Sequence, residues 1–132
     1  LRDRLSENPL DTVEQVLTRE ELLAMQADVR AVQTGDALLD YITRLTMASR
    51  EHPNVEVGVS PRGALLLCRM AKARAYLLGR AFAVSEDVQA VFEPVCAHRL
   101  IVSAKARLAG VSAADVVREL LADVPNPDRA AL

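Results

Sequence analysis

The sequence predicts an all-α fold, a compact bundle of four to five helices. Leu, Ala and Val carry the apolar content, and Leu and Ala are strong helix formers. Aromatic residues make up only 3% of the chain. Apolar residues recur at helical spacing behind capping signals at Thr18, Asp36, Ser60, Ser85 and Ser112.

The first capping signal is "TREE". Thr18 can accept from the backbone N–H of Glu21, and Glu21 can reach back to Thr18. Leu22, Met25, Val29 and Val32 follow at helical spacing, and Gly35 marks a break. Asp36 is the expected cap of a second helix, with Leu38, Ile42, Leu45 and Ser49 along one side and Tyr41 and Ala48 flanking. Asp40 and Arg44 form an i,i+4 pair on its wet side, and His52-Pro53 ends it. "NVEVGV" alternates but is too brief to propose a sheet.

Ser60 is the next N-cap, with Pro61 at the first helical position, where its missing N–H costs nothing. This third helix is expected to run to about Leu78, where Gly79 stops it. It carries two apolar stripes, Leu66, Met70, Ala73, Leu77 and Leu67, Ala71, Ala75, Leu78, so it should be central and gripped on two sides. Ser85 caps a fourth helix, with Glu86 and Asp87 well placed against its dipole, and Pro94 interrupts or kinks it. "LIVSAKARLAG" is ambiguous. "SAAD" opens a last helix with Val116, Val117, Leu120 and Leu121. The organisation is a linker or arm over 1–17, a helical domain over 18–124 and a loose tail over 125–132.

Hydrophobic residues are 51% of 132 positions, one domain's worth of chain with enough apolar content for a single core. Sixteen basic and 18 acidic residues give a net charge of −2, which creates no general field for nucleic acid or an anionic membrane. No apolar run is long enough to cross a bilayer. Cys68 and Cys96 sit in apolar helical patterns and read as reduced core residues of a cytoplasmic protein. The chain starts at Leu1 rather than Met, and the expectation is a piece of a longer protein.

Arg62 is the residue that the local fold does not explain. It sits on a helix's first turn, where the dipole disfavours a cation. Its fork-shaped guanidinium suits phosphate oxygens, and a helix start suits an anion. Along the same helix, Arg69 and Arg80 fall on one edge and read as solvated charges, while Arg74 falls inside the apolar arc and should pair with an acidic residue. His52 and His98 have no second ligand at metal spacing; an exposed His52 and a partly buried His98 are expected, and no metal site. There is no phosphate loop of the G-x-x-x-x-G-K-[ST] type.

"ASREHPNVEVGVSPRGALLL", then "AKARAYLLGRAFAVSEDVQAV", then "HRL", resembles the C-terminal lid of MoxR-type AAA+ ATPases, over roughly residues 10–124. The most specific element is G-x-S-P-R before an Ala/Leu-rich helix, followed by GR-x-x-x-V-S-x-x-D-V. Ser49 stands where Thr is more usual in such proteins, and Val59 where Ala is commoner. The resemblance implies that Arg62 is a catalytic sensor-2 arginine facing the γ-phosphate of ATP, and that Ser60 and Pro61 join it as cofactor-binding residues at that helix start. Arg50, Arg74 and Arg99 have no role that the sequence defines. The resemblance further implies a parent ATP hydrolase with ATP and Mg²⁺, an upstream AAA+ core carrying the missing Walker motifs, and a homo-oligomeric ring, hexameric in expectation. A von Willebrand factor A-domain partner and a chaperone-like remodelling role come from the same source. This chain alone should be inactive. The alternative is a non-enzymatic helical protein-interaction or DNA-binding module, although "AADVVRELLAD" is acidic on balance.

Overall fold

The computed structural model describes residues 12–129. Residues 1–11 of the expected arm and 130–132 of the expected tail lie outside the described residues. Among the described residues there are six α-helices and one small ladder: α1 (Arg19–Ala31), α2 (Asp36–Glu51), β1 (Val55–Val57), α3 (Pro61–Leu77), α4 (Ser85–Cys96), β2 (Ile101–Val102), α5 (Ala104–Leu108) and α6 (Ala113–Asp123). The all-α class holds. The helix count exceeds four to five because "SAKARL" within the ambiguous stretch closes the five-residue α5, capped by Ser103.

Local chemistry sets most helix starts. Thr18 and Glu21 form the capping box at α1, and Ser112 and Asp115 form another at α6. Two starts differ from expectation. Gly35 is the N-cap of α2, with no side-chain cap bond, so Asp36 is its first helical residue. Val84 is the N-cap of α4, and Asp87 reaches back to the Val84 N–H at 3.0 Å. Ser85 is instead buried, and its N–H and hydroxyl both donate to Asp128 at 2.9 and 2.5 Å. Asp128 therefore fastens part of the segment expected to trail loosely. Pro94 lies inside α4, which runs on to Cys96 before a 3-10 turn at Ala97–Arg99.

The core joins Tyr41 and Leu45 of α2, Leu67, Ala71 and Ala75 of α3, Val88 and Phe92 of α4, and Val116 and Val117 of α6. Small Ala71 and Ala75 let α3 lie close against α4, its most extensive neighbour. The buried Tyr41 hydroxyl accepts from Gln89 at 3.2 Å, as a buried phenol requires. Only one of the two expected α3 stripes is core. Leu67, Ala71 and Ala75 are buried, whereas Met70, Leu77 and Leu78 are exposed. The second side of α3 faces α1, which buries none of its own residues and leaves that margin open.

The ladder was invisible in the local pattern because its strands are far apart in sequence. Val55 pairs with Val102 and Val57 with Ile101, antiparallel with an irregularity between. Asn54 also accepts from the Ser103 N–H at 2.9 Å. This ties the segment before α3 to the segment after α4.

Candidate functional site

The start of α3 is clamped from below by α2. The buried Ser49 hydroxyl accepts from the Val59 N–H at 2.9 Å and donates to the Thr46 carbonyl at 2.7 Å. Beside it, Arg50 Nε donates to the Val59 carbonyl at 2.9 Å. Both polar groups of Val59 are thus held by consecutive α2 residues, and its side chain is fully buried. Gly58 passes so close that a Cβ there would lie 2.7 Å from the Arg50 Cα and backbone N, so no larger residue fits without moving α2. This assigns Arg50 a positioning role for the loop that enters α3.

From that anchored loop, Ser60 caps α3 by accepting from the Gly63 N–H at 3.2 Å. Pro61 occupies the first helical position. Arg62 comes next, exposed to solvent, and among the described residues no hydrogen bond or ion pair engages its side chain. It is one of three arginines lining a cleft of about 500 Å³ with Ser60, Gly63 and Leu65. The second is Arg69, two turns along the same face of α3. The third is Arg99, from the turn before β2, whose Nε donates to the Val95 carbonyl at 2.9 Å. Its Cδ lies 3.7 Å from where a Cβ on Gly63 would stand, so its stem runs beside the first turn of α3. The turn at the end of α4, which packs on α3 and is braced by the β1–β2 ladder, brings Arg99 there. Among the described residues, no carboxylate lines the cleft.

The remaining arginines of α3 and its C-terminal turn behave differently. Gly79, at φ 73°, closes α3 through bonds from its own N–H to Tyr76 and from Arg80 N–H to Ala75, at 2.8 and 2.9 Å. This turn swings Arg80 onto Asp87, with two bonds of 2.8 and 2.6 Å. Arg80 is therefore half-buried in a bidentate pair, not the solvated edge charge that the helical pattern suggested. Arg74 also pairs with Asp87, at 3.4 Å, which agrees with the expected ion pair. Burial pushes the Asp87 carboxyl up, but its bonds to Arg80 and Val84, with the charges of Arg80 and Arg74, outweigh this and hold it below the usual range.

The other candidates carry no chemistry. His52 is nearly buried and meets Glu119 at 2.9 Å, while His98 is exposed, the reverse of the expected burial. The turn at 97–99 faces His98 outward. Both cysteines are free. Burial pushes the Cys96 thiol up to about 11, which makes it a poor nucleophile. Among the described residues, no three His, Cys, Asp or Glu side chains are grouped to hold a metal ion. No helix there is long and apolar enough to cross a membrane.

A helical bundle with a ladder-braced, arginine-bearing helix start defines a class. The AAA lid domain family matches residues 47–120, more than half the chain, and the chain belongs to that family. Within it, the chain is similar to proteins of the MoxR type. It is 32% identical over 120 residues to the uncharacterized protein YeaC of Bacillus subtilis, covering 91% of this chain and 38% of that protein. It is 39% identical over 74 residues to protein MoxR of Methylorubrum extorquens, covering 55% of this chain and 22% of that one. It is 29% identical over 122 residues to the chaperone MoxR1 of Mycobacterium tuberculosis, covering 86% and 32%. A crystal structure from Cytophaga hutchinsonii, provisionally described as an ATPase, superposes with a TM-score of 0.84 at 25% identity, covering 95% of this chain and 41% of that chain. The chain spans well under half the length of these relatives.

Proposed function

We propose that this lid serves a MoxR-type AAA+ ATPase by presenting Arg62 to the γ-phosphate of ATP held mainly by an upstream core domain. The observation that carries the reading is the side chain of Arg62: exposed, unpaired among the described residues, and fixed at a helix start by a braced loop. A guanidinium there stabilises charge on the terminal phosphate and couples lid position to the nucleotide state. Ser60 and Pro61 shape the helix start. The donor set suits phosphate oxygens, and the accompanying Mg²⁺ belongs to the core domain. Half-exposed Leu22 and Leu23 of α1, with exposed Leu77 of α3, leave an apolar margin for that core to cover. A homo-oligomeric ring, hexameric in the simplest case, and chaperone-like action on a client follow from the same family reading, as does a von Willebrand factor A-domain partner. The two free thiols agree with a cytoplasmic setting. The DNA-binding alternative gains no support from α6, whose Arg118 is paired with Asp115.

The test is Arg62→Ala in the full-length protein. ATP turnover should fall roughly 10- to 100-fold, the scale of one or two charge-assisted hydrogen bonds. The thermal midpoint should stay near wild type, because an exposed substitution costs at most about 0.5 kcal/mol. Wild-type turnover in this variant would overturn the sensor role.

A further inference from the structure

We infer that Arg69 and Arg99 are additional phosphate-binding residues, which together with Arg62 fit the cleft to a triphosphate chain rather than to a single phosphate. This rests on the reading of Arg62 as a nucleotide contact.

The argument starts from charge. The ion pairs among the described residues engage Arg44, Arg74, Arg80, Arg118 and His52. None engages Arg62, Arg69 or Arg99, and these three line one cleft. They come from two separate parts of the chain, so the grouping is a product of the fold and not of a local basic run. Like charges gathered around a concavity repel and raise the local potential, which favours a bound anion. Three guanidiniums match a ligand with several negative charges better than one with few.

Arg99 is also prepared for the task. Its Nε bond to the Val95 carbonyl fixes the plane of the guanidinium, and among the described residues no carboxylate claims its terminal nitrogens. Holding the fork in place reduces the ordering cost of binding. The ladder of β1 with β2 helps to set where this fork stands relative to α3. Arg69 extends the row along α3, one helical face from Arg62. The apolar side chain of Leu65 borders the same cleft.

The experiment titrates the full-length protein with fluorescent analogues of ATP and AMP that share base, sugar and label. Arg99→Gln and Arg69→Gln should each weaken the ATP analogue about tenfold, the scale of one charge-assisted hydrogen bond. The AMP analogue should change by less than about twofold, since it lacks the charges that these residues would meet. Arg107→Gln, an exposed cation of α5 that does not line the cleft, should change neither. Among the described residues Arg69 has no side-chain hydrogen bond to lose, so its variant folds even if loss of the Val95 contact impairs Arg99→Gln. Equal losses for ATP and AMP, or wild-type affinity in both variants while Arg62→Ala still impairs binding or turnover, would overturn this inference and leave the sensor reading standing. Wild-type behaviour in Arg62→Ala as well would overturn both.

Discussion

Asp87 shows how much one carboxylate can organise. It is 1% exposed, yet it accepts two bonds from Arg80 and one from the Val84 N–H, with Arg74 at 3.4 Å. The same side chain therefore caps α4 and ties it to the end of α3, across the most extensive helix contact among the described residues. Asp87→Asn keeps the shape but removes the charge that both arginines face. Deleting one member of a buried pair costs about 3–5 kcal/mol, and the partial exposure of Arg74 and Arg80 lets water soften the loss toward the lower end. A fall of about 3 kcal/mol in the urea-derived stability is expected; a loss under about 1 kcal/mol would mean that the pair is solvated in practice. The sequence showed Asp87 only as a favourable first-turn acid. Its partner was obscured because a helical wheel continued through Leu78 puts Arg80 on a wet edge, whereas Gly79 ends the helix and turns the chain back.

At the scale of the element, α3 separates what periodicity tells from what it cannot. Periodicity gave the helix and both apolar stripes. It could not say which stripe meets the core, since that depends on what packs there. Leu67 is fully buried, and Leu77 is 74% exposed. Leu67→Ala should cost about 3 kcal/mol, the ordinary result of emptying a packed site, and Leu77→Ala less than about 0.5 kcal/mol. Comparable losses would show that α1 covers Leu77 in solution. Capping residues were legible for the same reason that the helices were: Thr18, Ser60 and Ser112 act on their own first turns. The β1–β2 ladder was not, because each strand is two or three residues long and makes sense only beside its partner. The candidate site divides along the same line. Arg62 stood out on local grounds, being a cation at a helix start. Arg99 did not, because the packing of α4 against α3, braced by the ladder, carries it to the start of α3.

Across the whole molecule, the caps and the buried pair make stability depend on pH in a definite direction. Glu21 is held below its usual range chiefly by the Thr18 N–H, Asp115 chiefly by the Ser112 hydroxyl, and Asp87 by its arginines and Val84 against its burial. Unfolding returns each to an ordinary value near 4. In acid the unfolded chain therefore binds more protons than the folded one, and stability falls as pH drops through the depressed folded values. Above about pH 5 these groups are ionised in both states and their full contribution is present. The three carboxylates do not act on the same unit. Asp87 and Asp115 start α4 and α6, which share the core with α2 and α3, so their protonation should lower the global midpoint. Glu21 starts α1, which buries no residue of its own, so its protonation should fray that helix without unfolding the rest. Urea midpoints from pH 7 to pH 3, read beside amide exchange of α1, should show a flat region, then a global loss below about pH 4. α1 should lose protection without moving the midpoint in Thr18→Ala, which removes its cap at neutral pH. Stability that rose on acidification would mean that these carboxylates are not favoured in the fold. A midpoint that fell in Thr18→Ala would mean that α1 is part of the cooperative core, with its apolar margin already engaged by α3.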